Sequence, residues 1–159
     1  AQVRSLARFL IASTVRSTTV MLIVLLVGSG GWYCYHLADT VVRNSYAVWW
    51  AADMVIHHLE STDNRWPTGW DDLRDDYEAL AVGSGRPWTF DEIRERVEVD
   101  WKADPDQLTR KATEYPTESF RVVWLLDGSD HHYQDHEPNE MIAGFLDKRG
   151  KTGAHARGR

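Results

Sequence analysis

The sequence predicts an α+β protein: an N-terminal transmembrane helix continues into a long stalk helix, packed against a small antiparallel sheet with short helices. Three observations carry this. Ser17 to Tyr35 holds no charged residue, and nineteen helical residues span about 28 Å, close to the hydrocarbon thickness of a bilayer. Beyond it, Leu37, Val41, Ser45, Val48, Ala52, Val55 and Leu59 keep a three-and-four spacing, one seam of a helix. Further on, Val97 to Trp101 alternates as a strand, and Phe120 to Leu126 reads as a more buried one.

The chain divides accordingly into a basic segment 1–16, a membrane helix 17–35, an α+β domain 36–148 that includes a stalk helix 36–61, and a basic flexible tail 149–159. Arg4, Arg8 and Arg16 precede the apolar run, whereas Arg43 after it is offset by Asp39. The positive-inside rule then places the N-terminus in the cytoplasm and the domain on the far side of a bacterial inner membrane. Trp32, Tyr33 and Tyr35 sit at the outer end of the span, as an interfacial aromatic belt does. A secretory signal peptide shares the basic start, the apolar stretch and the small residues Gly28 to Gly31; we read the segment as an anchor. Residues 2–16 either lie along the inner leaflet or extend one tilted helix.

After the stalk, Asp63 to Gly69 is a turn. A short helix follows, with Thr68 as N-cap and Asp71 and Asp72 in its first turn. Gly83 to Pro87 is a second loop. Thr89 and Glu92 have capping-box spacing and open a helix to about Arg96. Asp104-Pro105 starts another, to about Ala112, and Pro138 fits the first position of a last helix through Leu146. Gly150 onward reads as a disordered polar tail.

Charge and composition exclude some functions. Residues 35–147 hold all 24 acids against 10 bases, while the last twelve residues carry five bases and no acid. An acidic body lacks the basic footprint that nucleic-acid binding needs. The 8 Trp read as core and interface anchors. The one cysteine, Cys34, has no partner for an internal disulfide.

No catalytic residue and no cofactor site emerges. The densest set of metal-type side chains is Asp130 to Glu137, where His131, His132 and His136 are candidate ligands and His132 and His136 stand four apart. A polar surface loop explains the same residues. His57 and His58 reach that loop only if the fold brings them there. The acid pairs Asp71-Asp72 and Asp75-Asp76 fit helix ends and a solvated face. Gly150-Lys151-Thr152 lacks the upstream glycine spacing of a phosphate loop.

The candidate interface residues are Gly28, Gly30 and Gly31, where another membrane helix can approach closely, together with Trp32, Trp49 and Trp50. Trp49 and Trp50 are adjacent and cannot both face one core, so one of them is an interface anchor. The leading expectation is therefore a non-catalytic accessory subunit, with the lipid bilayer and other integral membrane subunits as partners. A metal-binding module or metal-dependent enzyme using the 131–136 loop is the alternative from another class.

The helix continuing into a stalk, the turn Asp63-Asn64-Arg65-Trp66-Pro67-Thr68 and the following Trp70-x-x-Leu73 resemble type IV pilins and secretion pseudopilins over residues 17–73. The resemblance implies a small antiparallel sheet laid on the helix and a place in a cell-envelope assembly. No Gly-Phe or Gly-Met processing site precedes the apolar run, no glutamate stands early in it, and the arginines form an extension before it. What the resemblance implies is thus a pilin-like shape without the polymerising chemistry.

Overall fold

The computed structural model describes the backbone of residues 2–82, 88–114, 121–132 and 137–157, with side chains for residue 19 and, within those spans, residues 21–152. The elements are α1 (Gln2–Ser61), a 3-10 turn (Trp70–Leu73), α2 (Arg74–Ala81), α3 (Phe90–Arg94), β1 (Val97–Val99), α4 (Pro105–Glu114), β2 (Val123–Leu125) and α5 (Pro138–Arg157). The protein is mostly helical with a small two-stranded antiparallel sheet, an α+β arrangement. It forms two compact units, one up to Thr40 and one from Val41 onward.

The first unit is helix throughout. Its backbone is helical from Gln2 with no break at Arg16. From Met21 to Ala38 every side chain is exposed, and Met21 to Val27 are each more than half exposed. Ser29 returns its hydroxyl to the Leu26 carbonyl, so the apolar surface carries one polar group fewer.

In the second unit α1 lies at the centre of the core. No residue from Asn44 to Leu59 is exposed, and Trp50, Ala51, Ala52, Met54, Val55 and Leu59 are at most 1% exposed. The sequence seam is buried from Ser45 on, while Leu37 stays exposed. Ala47, Ala51 and Ala52 are small enough for neighbouring elements to come close around the whole segment. The surrounding core includes Leu73, Phe90, Ile93, Val97, Val123 and Ile142.

The helix stops at Ser61 because the next residues turn left-handed. Asp63 (φ 57°) and Asn64 (φ 69°) both adopt positive φ, which short polar side chains tolerate best after glycine. The Asn64 N–H donates to the Leu59 carbonyl, 2.8 Å. Arg149 of α5 donates to the same carbonyl and to the Asp63 carboxylate, 3.3 and 2.8 Å. Trp66 Nε1 then ties the turn to β1 by donating to the Asp100 carbonyl.

Past the turn, several expectations shift. The N-cap of the 3-10 turn is Gly69, not Thr68. Thr68 instead donates its N–H and its hydroxyl to the Asp72 carboxylate, 2.8 and 2.7 Å. The capping box forms as expected, Glu92 N–H to Thr89 Oγ1 and Thr89 N–H to Glu92 Oε2, but α3 ends at Arg94. The strands are shorter than the sequence suggests, pairing Val97 with Leu125 and Val99 with Val123. β1 ends at Val99 because a turn closes from the Ala103 N–H to the Asp100 carbonyl. Phe120 and the loop 83–87 lie outside the described residues. Asn139, in the first turn of α5, accepts from the N–H groups of Val122 and Val123 and donates to the Val123 carbonyl. One side chain thereby serves the outer edge of β2 as a neighbouring strand would.

The basic tail is a correction. Residues 149–157 are helical, and α5 runs through Gly150 to Arg157. Gly150 is not a stop, because it is where α5 meets α4: a Cβ there would lie 3.0 Å from both Thr109 Cγ2 and Thr113 Oγ1. Packing against α4 supplies what helix propensity lacks.

Gly150→Leu should overpack this crossing and cost about 1–3 kcal/mol, read as a lowered midpoint in chemical denaturation. An unchanged midpoint would remove the close α4–α5 contact. A second expectation concerns acid. The Thr68 backbone N–H holds the Asp72 carboxyl below the ordinary range, the Thr89 backbone N–H does so for Glu92, and the Ser129 hydroxyl for Asp127. Lowered folded values mean stability that is present above the ordinary carboxylate range and lost as pH falls through the folded values. Stability from these groups should therefore hold down to about pH 4 and decline below it. A decline already complete by neutral pH would contradict this assignment.

Candidate functional site

Two places in the second unit gather chemistry-bearing side chains. The first is at the end of α1. His57 Nδ1 lies 2.6 Å from Asp76 Oδ1, and His58 Nδ1 lies 2.8 Å from Asp76 Oδ2. One carboxylate of α2 thus takes two consecutive residues of α1. Asp76 is 5% exposed, and the side chains of His58 and His57 are 10% and 36% exposed. With Asp76 ionised, each ring donates Nδ1–H to its own oxygen, so the carboxylate is satisfied on both sides. A buried acid requires such partners.

Asp76 was expected on a solvated face, and its burial corrects that reading. The signal was present in the sequence: Leu73, Asp76, Tyr77 and Leu80 keep i, i+3, i+4, i+7 spacing, which puts the acid on the inward face of the helix. Leu73 and Asp76 are buried and Tyr77 and Leu80 half-buried. The arrangement is a clamp that fastens α2 to the last turns of α1.

The second place is a cleft of about 460 Å³ whose lining includes Val48, Trp124, Arg121, His131, His132 and Glu137. Its loop is held by Asp127, which accepts the Ser129 N–H and hydroxyl (2.9 and 2.6 Å) and the Asn44 side-chain amide (2.7 Å). The Ser129 hydroxyl thus donates to the Asp127 carboxylate within the loop. Arg121 stands 5.8 Å from the centre of the Trp124 ring. The structure places His131 and His132 on this cleft, while His136 lies outside the described residues. Among the described residues no three metal-type side chains are grouped to hold an ion. His57 and His58 are engaged with Asp76, away from the residues lining this cleft.

The candidate interface residues separate. Gly28, Gly30 and Gly31 have nothing of the described chain within 4 Å of where a Cβ would stand. Trp32 is 67% exposed, with its ring edge-on to His36 at 4.3 Å. Trp50 is 1% exposed and packs on Tyr77 at 5.5 Å, so it belongs to the core and not to an outer surface. Trp49 is half-buried beside Tyr46. The aromatic rings continue inward as a packed series, Tyr77 to Phe90, Phe90 to Trp70 and Trp70 to Trp101, at 5.3–5.9 Å. These tryptophans are structural packing.

Comparison of the chain with protein-family models, with curated proteins and with solved structures finds no match.

Asp76→Ala should leave two ring N–H donors without their acceptor, at about 1–3 kcal/mol for each that stays buried. His58→Ala should cost more than His57→Ala, since His58 is the more buried. A silent Asp76→Ala would show that the clamp contributes nothing to stability, and equal costs for the two histidines would show that burial does not rank them.

Proposed function

We propose that this protein is a non-catalytic, single-pass membrane subunit that attaches an acidic, tryptophan-rich folded unit to a larger membrane complex. The observation that carries it is the surface of α1 from Met21 to Tyr35, without a charged side chain and exposed on every face. A helix that is apolar all round is stable in water only inside a core, and no other part of the described chain covers this one. Among the described residues α1 is the one helix long and apolar enough to cross a membrane. The arginines before it orient the N-terminus to the cytoplasm and the folded unit to the extracytoplasmic side of the inner membrane. Trp32, Tyr33 and Tyr35, each about two-thirds exposed, match the headgroup level. Gly28, Gly30 and Gly31 offer close approach to an integral membrane partner, since lipid provides no hydrophobic force between helices and contact must come from packing.

The test exploits the open space at the glycines. A Cβ at positions 28, 30 and 31 meets no other part of the described chain within 4 Å, so the leucine variant should keep its folded unit intact, checked by an unchanged unfolding midpoint. It should remain in the membrane fraction yet lose its co-purifying subunits after mild-detergent extraction. Unchanged co-purification would refute the glycine contact, and release of the parent chain by alkaline carbonate would refute the anchor itself.

A pilin-like component of an envelope assembly is a second reading, favoured by the unbroken course of α1 to Ser61 and the left-handed Asp63-Asn64 exit from it. It differs in outcome: the protein would be recovered as a homopolymer in sheared extracellular material.

A further inference from the structure

The outer surface of α5 carries a pattern that no intramolecular contact uses. Glu140, Gly144 and Lys148 are exposed and spaced by four, so they form one ridge along the helix. Gly144 has nothing within 4 Å of its Cβ position. Neither the Glu140 nor the Lys148 side chain has an ion-pair partner among the described residues. The neighbouring charges of α5 are engaged, Lys151 with Asp147 and Arg149 with Asp63, at 2.7 and 2.8 Å. The same ridge edges an open groove of about 770 Å³, floored in part by Ile56 of α1 and by Met141 and Phe145 of α5, all half-buried.

We propose that this face binds a second copy of the same chain, α5 crossing α5 antiparallel at Gly144. The charge pattern selects the occupant. A two-fold interface needs a surface that complements itself, residue i meeting j while j meets i. Glu140 and Lys148 stand four residues before and after Gly144, each about 6 Å along the axis from it. In an antiparallel crossing each copy's Glu140 comes opposite the partner's Lys148, twice over. In a parallel crossing glutamate would meet glutamate and lysine would meet lysine, which repels. The glycine lets the two axes approach, and Phe145 of each copy covers the space over the partner's Gly144. Two ion pairs then flank a small apolar centre, the order in which interfaces combine a buried middle with a charged rim.

The test is a charge swap in the full-length chain purified in mild detergent, with self-association measured by sedimentation equilibrium. The parent chain should be a dimer. Lys148→Glu alone, or Glu140→Lys alone, should weaken the dimer by about tenfold or more, because both pairs become repulsive. The double variant E140K/K148E should restore it. In a Cys34→Ser background, Gly144→Cys should give a disulfide-linked dimer on mild oxidation, the two positions lying on the two-fold axis. A monomeric parent overturns the proposal. So does a dimer indifferent to the single reversals, which would locate self-association elsewhere, for instance in the apolar segment of α1. A double swap no better than the single reversals, or absence of the 144–144 cross-link, overturns the antiparallel crossing.

Discussion

Everything in the folded unit is arranged around one segment of helix, Asn44 to Leu59, that reaches solvent nowhere as an exposed residue. A helix in a small domain ordinarily buries one stripe and wets the other. Here the segment buries tryptophan, methionine, leucine and valine inward and keeps alanine at 47, 51 and 52, so that other elements can approach closely. Removing Leu59 or Met54 would open a cavity at the centre, at about 2–5 kcal/mol for a leucine-sized truncation. The short strands and short helices around it have too little surface of their own to be stable apart. They are held because α1 gives α2, α3 and α5 something to pack on, and α5 in turn holds α4.

The end of this helix is consequently tied from several elements. Its last carbonyls receive Thr62, Asn64 and Arg149, its exit is set by two left-handed residues, and its two histidines hold one buried carboxylate. Helix C-termini leave acceptors without intrahelical donors, and in this protein those acceptors are met from a distant element: Arg149 is 90 residues away from Leu59 in sequence. The same contact joins Arg149, at the start of the basic segment, to the terminus of α1. Its charge is complementary to the partial negative charge of the terminus it meets.

The apolar half of α1 poses the opposite problem. Its side chains are as hydrophobic as those of the core, yet they are exposed on all sides, which water does not tolerate over so long a stretch. In the membrane reading proposed above, a bilayer resolves this without any protein contact, and the small residues at 28–31 are where protein contact would be added. Function in this reading is therefore a matter of what the helix and the folded unit are placed against. The histidine pair fastens α2 to α1, and the Ser129 hydroxyl donates to Asp127.

Much of this was legible in the residues themselves. The uncharged run, the three-and-four seam, the capping box at Thr89 and Glu92 and the proline opening α5 are local patterns, and local patterns specify local structure. The stop at Ser61 was legible for the same reason, since Asp63-Asn64 followed by Pro67 and Gly69 marks a turn. What the sequence could not determine were the outcomes that depend on contact across the chain. Gly150 reads as a breaker until α4 is seen against it, Asp76 as a surface acid until two histidines are seen around it, and Trp49 and Trp50 as equals until the core claims one. His131 and His132 read as candidate ligands, and the structure brings them to one cleft without grouping three ligands among the described residues. Propensity and periodicity act over a few residues, whereas hydrogen bonds here join residues 18 to 90 positions apart, so only the tertiary structure could decide them.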